Sequence, residues 1–309
     1  MRFPFLSRLT LRLIAGSAAL PPEQTAALEQ YVLSAQRPDG GWGGREGGSD
    51  LYYTAFALRS LAVLGALHGE TAARAASFLR GSLATSQGVV DLVSLIYAGQ
   101  LIAASAEIDA FEGFAADWDS RVITFFDSLR REDGGFAKSP DSRLGSTYQT
   151  FLVTLCRELF ERPLSADDPC VAFLLGQRQA DGGFLEVRVA KRSGTNPTAA
   201  AAVALGCVGA LEPQVAQSAA GFLLDQQTDG GFAANTRMPM PDLLSTFTAL
   251  TALWDIGQMQ EAELAAARAY AESMRRPEGG FAGFELDPAH DVEYSFYGLG
   301  TLALLADAV

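Results

Sequence analysis

Six basic side chains are concentrated in three short segments of a 309-residue chain whose formal net charge is −13. Arginine and lysine donate charge-assisted hydrogen bonds, and a polyvalent anion needs several such donors to be held. The clustering therefore predicts an anion site, with ordinary solvated surface charge as the alternative. The six residues, which include both lysines of the chain, are Lys138, Arg143, Arg188, Lys191, Arg192 and Arg237, and the last four are the candidate ligands.

A second set of residues has side chains that transfer protons or bind metals. Asp242, Asp291, Glu293 and Tyr294 are the candidates for catalysis. Asp242 and Asp291 also stand directly before apolar helical segments, where a carboxylate caps the first turn, so capping is the competing interpretation. A metal site built from Asp242, His290 and Asp291 is a weaker alternative.

Aromatic residues of the apolar segments form the third set. Their rings suit an apolar ligand and also stabilise a carbocation through their π faces, although aromatics fill helical cores in any case. The candidates for such a lining are Tyr148, Phe151, Phe247 and Tyr297.

These residues are positioned by an internal repeat. The string Asp-Gly-Gly-aromatic, or Glu-Gly-Gly-aromatic, occurs five times, and the last four copies are 48 or 49 residues apart. A degenerate copy at 86–89 fills the double interval after the first, which predicts six units of about 48 residues. The aromatic residues that end the five copies are Trp42, Phe136, Phe184, Phe232 and Phe281.

Each unit contains an amphipathic helical segment followed by one that is apolar nearly all round. A helix without a polar face must be covered, so the apolar helices are expected inside and the amphipathic ones outside. The prediction is an all-α fold, an α/α toroid of twelve main helices in two concentric rings with no significant β-sheet. Phe136, Phe184, Phe232 and Phe281 should be buried at equivalent positions, and the second unit should have the shortest or most irregular connection. Expected N-caps of the inner helices are Asp50, Asp91, Ser146, Asp242 and Asp291.

The Gly-Gly-aromatic turns, the glutamines that precede three of them and the inner-helix start at 291–299 carry a family resemblance. From about Glu23 to Ala306 the chain resembles the β subunit of protein prenyltransferases and the wider group of squalene-hopene cyclases. The resemblance implies an isoprenyl diphosphate bound in a central cavity, with its diphosphate on the basic rim. It also implies a helical-repeat α-type subunit as a partner; a homo-oligomer is the alternative.

The zinc site of protein prenyltransferases is not conserved at the matching positions. That family's ligands are an aspartate, a cysteine and a histidine, and they align with Asp242, Leu244 and Tyr294. Leucine cannot ligate zinc and a neutral tyrosine replaces imidazole poorly, so we predict no zinc bound by this set. Magnesium, or zinc shifted to Asp242, His290 and Asp291, remains the alternative.

Several functions stay open at this point. The leading hypothesis is isoprenyl diphosphate binding, with prenyl transfer that does not use the usual zinc site. The main alternative is a non-catalytic toroid that serves as a scaffold for protein interaction. A class II terpene cyclase is disfavoured because the nearest Asp-rich strings, Asp117-Trp118-Asp119-Ser120 and Ala166-Asp167-Asp168-Pro169, are expected at outer-helix starts. An α/α-barrel glycan enzyme would need an acid and a base, for which the candidates are Asp50, Asp91, Asp242, Asp291 and Glu293.

Composition and the N-terminal segment limit the partners. The acidic balance argues against nucleic acid as a partner, because its phosphates require a basic face.

Residues 1–22 are expected to form an amphipathic arm, either packed on the domain or touching a membrane surface weakly. Residues 23–309 are expected to form a single toroid domain. No apolar run is read as a transmembrane segment, and the expected location is the cytoplasm, with a peripheral membrane contact as an alternative. Cys156, Cys170 and Cys207 are expected to be free thiols.

Overall fold

The computed structural model describes residues 3–83 and 88–306. Its helices follow one another along the chain with few strands between them. In chain order they are α1 (Phe5–Ser17), α2 (Pro22–Ser34), α3 (Leu51–Val63), α4 (Gly69–Ser82), α5 (Val89–Ala106), α6 (Trp118–Ser128), α7 (Thr147–Leu159), α8 (Pro169–Gly176), α9 (Thr195–Cys207), α10 (Pro213–Leu224), α11 (Leu243–Asp255), α12 (Leu264–Ser273) and α13 (Val292–Leu304). From α2 onwards, these bounds fit six successive helix pairs.

Two compact units divide the chain. Unit 1 comprises Met1–Leu6 and Asp117–Ala267, and unit 2 comprises Ser7–Ala116 and Arg268–Val309. Unit 1 holds an antiparallel three-stranded sheet of β1 (Gln227–Thr228), β2 (Gly231–Asn235) and β3 (Met238–Asp242). Unit 2 holds an antiparallel pair, β4 (Phe281–Ala282) and β5 (His290–Asp291). The sequence analysis did not predict these short strands.

Burial within each unit follows the two kinds of helix that the sequence predicts. In unit 1, α9 packs between α7 and α11, and the apolar residues of all three are mostly buried. In unit 2, α3 packs against both α5 and α13. The amphipathic helices α6 and α10 bury one face only. The helices without a polar face are therefore the covered ones, as the hydrophobic effect requires.

The aromatic residue of each glycine turn is buried, and its backbone pairs with another segment of the chain. Trp42, Phe136, Phe184 and Phe232 have no exposed side-chain area, and Phe281 is 2% exposed. These aromatics also pair with the residue before the next inner helix, as in Phe232 with Asp242 and Phe136 with Ser146. The loop between turn and helix is thus a hairpin, which explains the unpredicted strands. The predicted burial of the four phenylalanines is confirmed, and Trp42 is buried in the same way.

A hydroxyl in the first turn of the inner helix completes this arrangement. The Phe136 N–H donates to Thr150 Oγ1 at 2.9 Å, and the Thr150 hydroxyl donates to the Ser146 carbonyl at 2.8 Å. The same pair of bonds recurs for Phe184 with Thr198 and for Phe232 with Thr246. In each case a side-chain hydroxyl supplies the acceptor that a buried backbone N–H needs.

We expect the Thr150→Val substitution to lower the free energy of unfolding by about 1–3 kcal/mol, because it leaves the buried Phe136 N–H without an acceptor. Urea denaturation measures the change. Thr124→Val is the control, since the exposed Thr124 hydroxyl only donates to the Ser120 carbonyl. Equal effects of the two substitutions would contradict the role of Thr150 as an acceptor.

The predicted helix caps are present in four of the five cases. Asp50, Ser146, Asp242 and Asp291 each accept a hydrogen bond from the backbone N–H three residues later. The prediction for Asp91 is wrong, because Gly88 occupies the N-cap of α5 and Asp91 lies inside the first turn. An aspartate in the first turn is still favoured there by the helix dipole.

The degenerate turn predicted for the second unit, at 86–89, lies partly outside the described residues, which omit 84–87. The flanking helices end at Ser82 and begin at Val89, so fewer residues separate them than separate the two helices of any other pair. The helix that follows, α5, is long and apolar enough to span a membrane by length and composition alone. The sequence analysis read no segment as apolar enough to span a membrane. However, 56% of α5 is buried inside the protein, as in a core helix.

The N-terminal helix α1 packs with its apolar face inward in unit 2. Leu9 and Leu13 are buried, and Arg12 Nη2 donates to the Leu304 carbonyl at 3.0 Å. Ser17 Oγ donates to the Val63 carbonyl at 2.9 Å. These contacts agree with an arm that packs on the protein.

Candidate functional site

An open pocket of about 750 Å³ lies in unit 1, between the loop that leads into α9 and the β2–β3 hairpin. It is formed by residues that follow two successive glycine turns, at the end of unit 1 where the inner helices begin. Its lining consists of Glu186, Lys191, Arg192, Ser193, Gly194, Asn196, Pro197, Ala234, Asn235, Arg237 and Met238.

Three of the four predicted anion ligands meet in this pocket. Lys191, Arg192 and Arg237 all line it, and all three side chains are exposed. Within the described part of the chain, none of the three forms an ion pair with a carboxylate. Arg188 is exposed in the same loop but does not line the pocket. The structure thus brings together cations from two loops that are far apart in sequence.

The start of α9 adds to the positive character of the pocket. Its N-cap is Gly194, which has no side chain to accept a hydrogen bond, whereas α7 and α11 are capped by Ser146 and Asp242. The free end of a helix carries partial positive charge and N–H groups that suit an anion. Among the first three residues of α9, Thr195 and Asn196 carry a backbone N–H, whereas Pro197 does not and packs beside Gly194.

Glu186 is a pocket residue that the sequence analysis missed. Its carboxylate accepts a hydrogen bond from the Ser146 hydroxyl and a longer one, 3.4 Å, from the Tyr148 N–H. Burial raises the pKa of the Glu186 carboxyl above its ordinary value. The hydrogen bonds from Ser146 and Tyr148 oppose this shift. The available signal was an acid two residues after a turn aromatic, where neighbouring repeats have Lys138 and Ala234.

The predicted aromatics of unit 1 do not line the pocket, but Tyr148 and the neighbour of Phe247 are hydrogen-bonded to lining residues. Tyr148 is 39% exposed, and its ring centroid is 6.4 Å from that of Phe151. Phe247 is buried, and the hydroxyl of the adjacent Thr248 donates to Asn196 Oδ1 in the pocket at 2.6 Å. Tyr297, the fourth predicted aromatic, belongs to unit 2 and is buried there.

Asp242 has a local structural role in unit 1. Its carboxylate accepts from the Ser245 N–H at 2.7 Å and from the Ser245 hydroxyl at 2.8 Å. Burial raises the pKa of Asp242, although the Ser245 bonds oppose the shift. The residue caps α11 and does not line the pocket, so its geometry agrees with the capping interpretation.

The other three predicted catalytic residues, Asp291, Glu293 and Tyr294, stand together at the start of α13 in unit 2. Asp291 is 6% exposed, and it accepts from Arg45 Nε at 3.1 Å as well as from the Tyr294 N–H. Arg45 also pairs with Asp287 at 2.6 Å. The Asp291 carboxylate therefore shares with Asp287 an arginine that the sequence analysis did not single out.

Glu293 lies in an aromatic cluster of unit 2. Its Oε1 accepts from the Tyr52 hydroxyl at 2.6 Å and from the Tyr297 hydroxyl at 3.3 Å. Burial raises the pKa of Glu293 above its ordinary value. Nearby, the guanidinium of Arg59 lies 3.9 Å from the ring centroid of Phe296. The two phenolic hydroxyls fix the position of the Glu293 carboxylate.

The residues suggested for a metal do not form a ligand set. Over residues 3–83 and 88–306, no three His, Cys, Asp or Glu side chains are grouped so that they could hold an ion. Asp242 belongs to unit 1 and caps α11, Asp291 is paired with Arg45, and His290 packs its ring against Tyr31 at 5.3 Å between centroids. With Leu244 and Tyr294 at the other positions, the donor set does not fit zinc.

The Asp-rich strings and the cysteines have structural settings. Asp117 and Asp168 stand at the N-caps of the outer helices α6 and α8, as predicted, and Asp168 is held by both guanidinium nitrogens of Arg130 at 2.8 and 2.9 Å. Among the described residues, the three cysteines are free thiols, and two of them, Cys156 and Cys170, are buried.

Comparison with known families identifies the fold. The prenyltransferase alpha-alpha toroid domain matches residues 5–96 and 101–309. The chain belongs to this family. The predicted fold class, an all-α α/α toroid, and the predicted resemblance are therefore confirmed.

Solved structures agree with the assignment. A chain of protein geranylgeranyltransferase-I from Candida albicans, complexed with GGPP, aligns over 91% of this chain and 90% of its own, with a TM-score of 0.73 and 15% identity. A variant of the type II terpene cyclase MstE from Scytonema, in complex with geranylgeranyl dihydroxybenzoate, aligns over 98% and 99%, with a TM-score of 0.63 and 15% identity. At such identities the similarity shows the fold alone. A search of curated proteins finds no match.

Proposed function

We propose that this prenyltransferase-family protein binds an isoprenyl diphosphate, with the diphosphate in the basic pocket of unit 1. The observation that carries the proposal is the convergence of Lys191, Arg192 and Arg237 beside the uncapped start of α9. A diphosphate offers several oxygens to such donors, and each charge-assisted bond is stronger than a neutral one. A similar fold has been solved with GGPP bound.

The isoprenoid part would lie against aromatic side chains near the pocket. Tyr148 is partly exposed and stacks obliquely on Phe151, and its backbone N–H is bonded to Glu186 in the pocket lining. An apolar chain that leaves the pocket on this side would cover these rings. Burial of apolar area there would make a prenylated diphosphate bind more tightly than the bare anion.

The same arrangement supports prenyl transfer as the finer form of the proposal. When the bond between the prenyl carbon and the diphosphate oxygen breaks, negative charge develops on the leaving diphosphate. Fixed cations and helix N–H groups stabilise that charge without reorganising. This route uses none of the positions of the missing zinc ligands.

Titration with geranylgeranyl diphosphate tests the proposal. Calorimetry should show saturable binding, and Arg237→Gln should weaken it by about 10- to 100-fold, since a hydrogen bond to a charged group is worth about 1.5–3 kcal/mol. Arg121→Gln is the matched control, because Arg121 is an exposed arginine on α6 of the same unit, outside the pocket.

Inorganic pyrophosphate separates lipid binding from simple anion binding. The proposal requires the prenylated compound to bind more tightly than pyrophosphate. Equal affinities, or no saturable binding of either, would refute it and leave the toroid as a scaffold for protein interaction.

A further inference from the structure

Three successive loops of unit 1 each place an arginine directly before an exposed apolar side chain. The pairs are Arg143-Leu144, Arg188-Val189 and Arg237-Met238. Leu144 is 38% exposed, Val189 73% and Met238 59%. Met240, in the third loop, is a further exposed apolar residue at 40%. We refer to loops 137–146, 185–194 and 233–242 together as the basic–apolar rim.

The rim has the opposite charge to the rest of the chain. Its three loops contain six basic residues and three acidic ones, Asp141, Glu186 and Asp242. Two of these acids accept hydrogen bonds within the protein, since Asp242 caps α11 and Glu186 accepts from the Ser146 hydroxyl. The formal charge of the rim is therefore positive, in a protein with a net charge of −13.

The three loops lie side by side at one end of unit 1. Each leads into one of the helices α7, α9 and α11, which pack in that order. Hydrogen bonds join neighbouring repeats, since the Thr147 hydroxyl donates to the Leu185 carbonyl at 2.6 Å and the Thr195 hydroxyl to the Ala233 carbonyl at 2.5 Å. The exposed apolar residues thus belong to one surface.

We propose that the basic–apolar rim docks unit 1 on an anionic lipid surface. Arginines beside single exposed aliphatic or methionine side chains suit a membrane, where the guanidinium meets headgroup phosphate and the apolar tip enters the acyl boundary. A protein interface of comparable strength is typically centred on packed aromatic anchors. In the rim, the exposed apolar residues are aliphatic or methionine, and Tyr148, at the start of α7, is a 39% exposed aromatic outside these loops.

Docking in this orientation would set the basic pocket against the membrane. Lys191, Arg192, Arg237 and Met238 belong both to the rim and to the pocket lining. An isoprenyl diphosphate inserted in a bilayer exposes its diphosphate at the headgroup level, where these residues would meet it. This consequence rests on the proposed function, whereas the docking itself does not.

Vesicle sedimentation with the full chain tests the docking. Vesicles of phosphatidylcholine with phosphatidylglycerol should bind the protein, and pure phosphatidylcholine vesicles should not. Arg143→Gln should lower the partition coefficient by about fivefold, the typical contribution of one basic residue near an anionic surface. A triple variant, Leu144→Ser, Val189→Ser and Met240→Ser, should lower it by at least about tenfold. Added salt should weaken binding of the wild type.

The matched variants lie outside the rim and should keep wild-type vesicle binding. Leu175→Ser changes an apolar residue on α8 that is 38% exposed, and Arg121→Gln changes an exposed arginine of α6. Leu11→Ser with Ile14→Ser changes α1, where these side chains are 60% and 40% exposed. Loss of binding in the α1 variant but not in the rim variants would overturn the proposal. So would equal binding to both kinds of vesicle, or no binding to either.

Titration with geranylgeranyl diphosphate without vesicles separates the two proposals. The triple variant should retain the wild-type affinity for the free compound, because none of its three residues lines the pocket. Vesicle binding without any affinity for geranylgeranyl diphosphate would refute the proposed function and leave the docking intact.

Discussion

Replacing Phe184 by alanine is expected to lower the free energy of unfolding by about 3–5 kcal/mol, the usual effect of removing a buried phenyl ring. The Phe184 ring has no exposed area and belongs to a core cluster with Phe173, Ala201 and Leu205. Small alanines on α9 surround part of the ring, and backbone movement is limited by the bond from the Phe184 N–H to Thr198. The space left by the ring would therefore not close easily.

Urea denaturation followed by circular dichroism measures the effect. Leu175→Ala is the control from the same unit, since Leu175 is 38% exposed, and its effect should be within about 0.5–1 kcal/mol. A loss below about 1 kcal/mol for Phe184→Ala would show that the ring does not hold the repeats together.

The repeat made the helical part of this fold readable from sequence. Five glycine turns in phase define where each amphipathic helix ends, and the position of Phe184 after its turn predicts that the ring points into the core. The burial of the inner helices follows from the absence of a polar face, which depends only on local composition.

Contacts between residues distant in sequence were not readable in the same way. Phe232 pairs with Asp242 in a hairpin, and the Phe232 N–H donates to the Thr246 hydroxyl. No local propensity indicates that bond. Asp91 resembles a cap in sequence, but α5 begins earlier, at Val89. Capping depends on where the preceding loop ends, which local sequence fixes poorly.

In the candidate site, too, the features set by local sequence were predicted and the contacts between distant residues were not. Lys191, Arg192 and Arg237 were predicted as a group because charge clustering is visible in sequence, and the pocket unites them. Glu186 was missed because its role depends on the Ser146 hydroxyl of the preceding repeat. Arg45 was missed because its partner Asp291 is 246 residues away.

The glycine pair of each turn has a packing role that the sequence analysis did not include. At Gly182, φ is +87°, and a Cβ atom would lie 2.5 Å from the Ser218 carbonyl oxygen on α10. At Gly183, a Cβ atom would lie 2.7 Å from the ring of Phe222 on the same helix. The pair thus lets the next outer helix approach the turn, in addition to ending the preceding helix.

We therefore expect Gly182→Ala to lower the free energy of unfolding by about 2–5 kcal/mol, the sum of left-handed backbone strain and overpacking against a backbone carbonyl. Gly209→Ala is the matched control, because Gly209 also has a positive φ, +75°, but nothing lies within 4 Å of its added Cβ. It should show the backbone strain alone, about 1–2 kcal/mol. Urea denaturation of both variants isolates the difference, which measures how closely α10 approaches the turn. If the two substitutions destabilise the protein equally, the close approach contributes nothing, and the glycine is needed only for its backbone conformation.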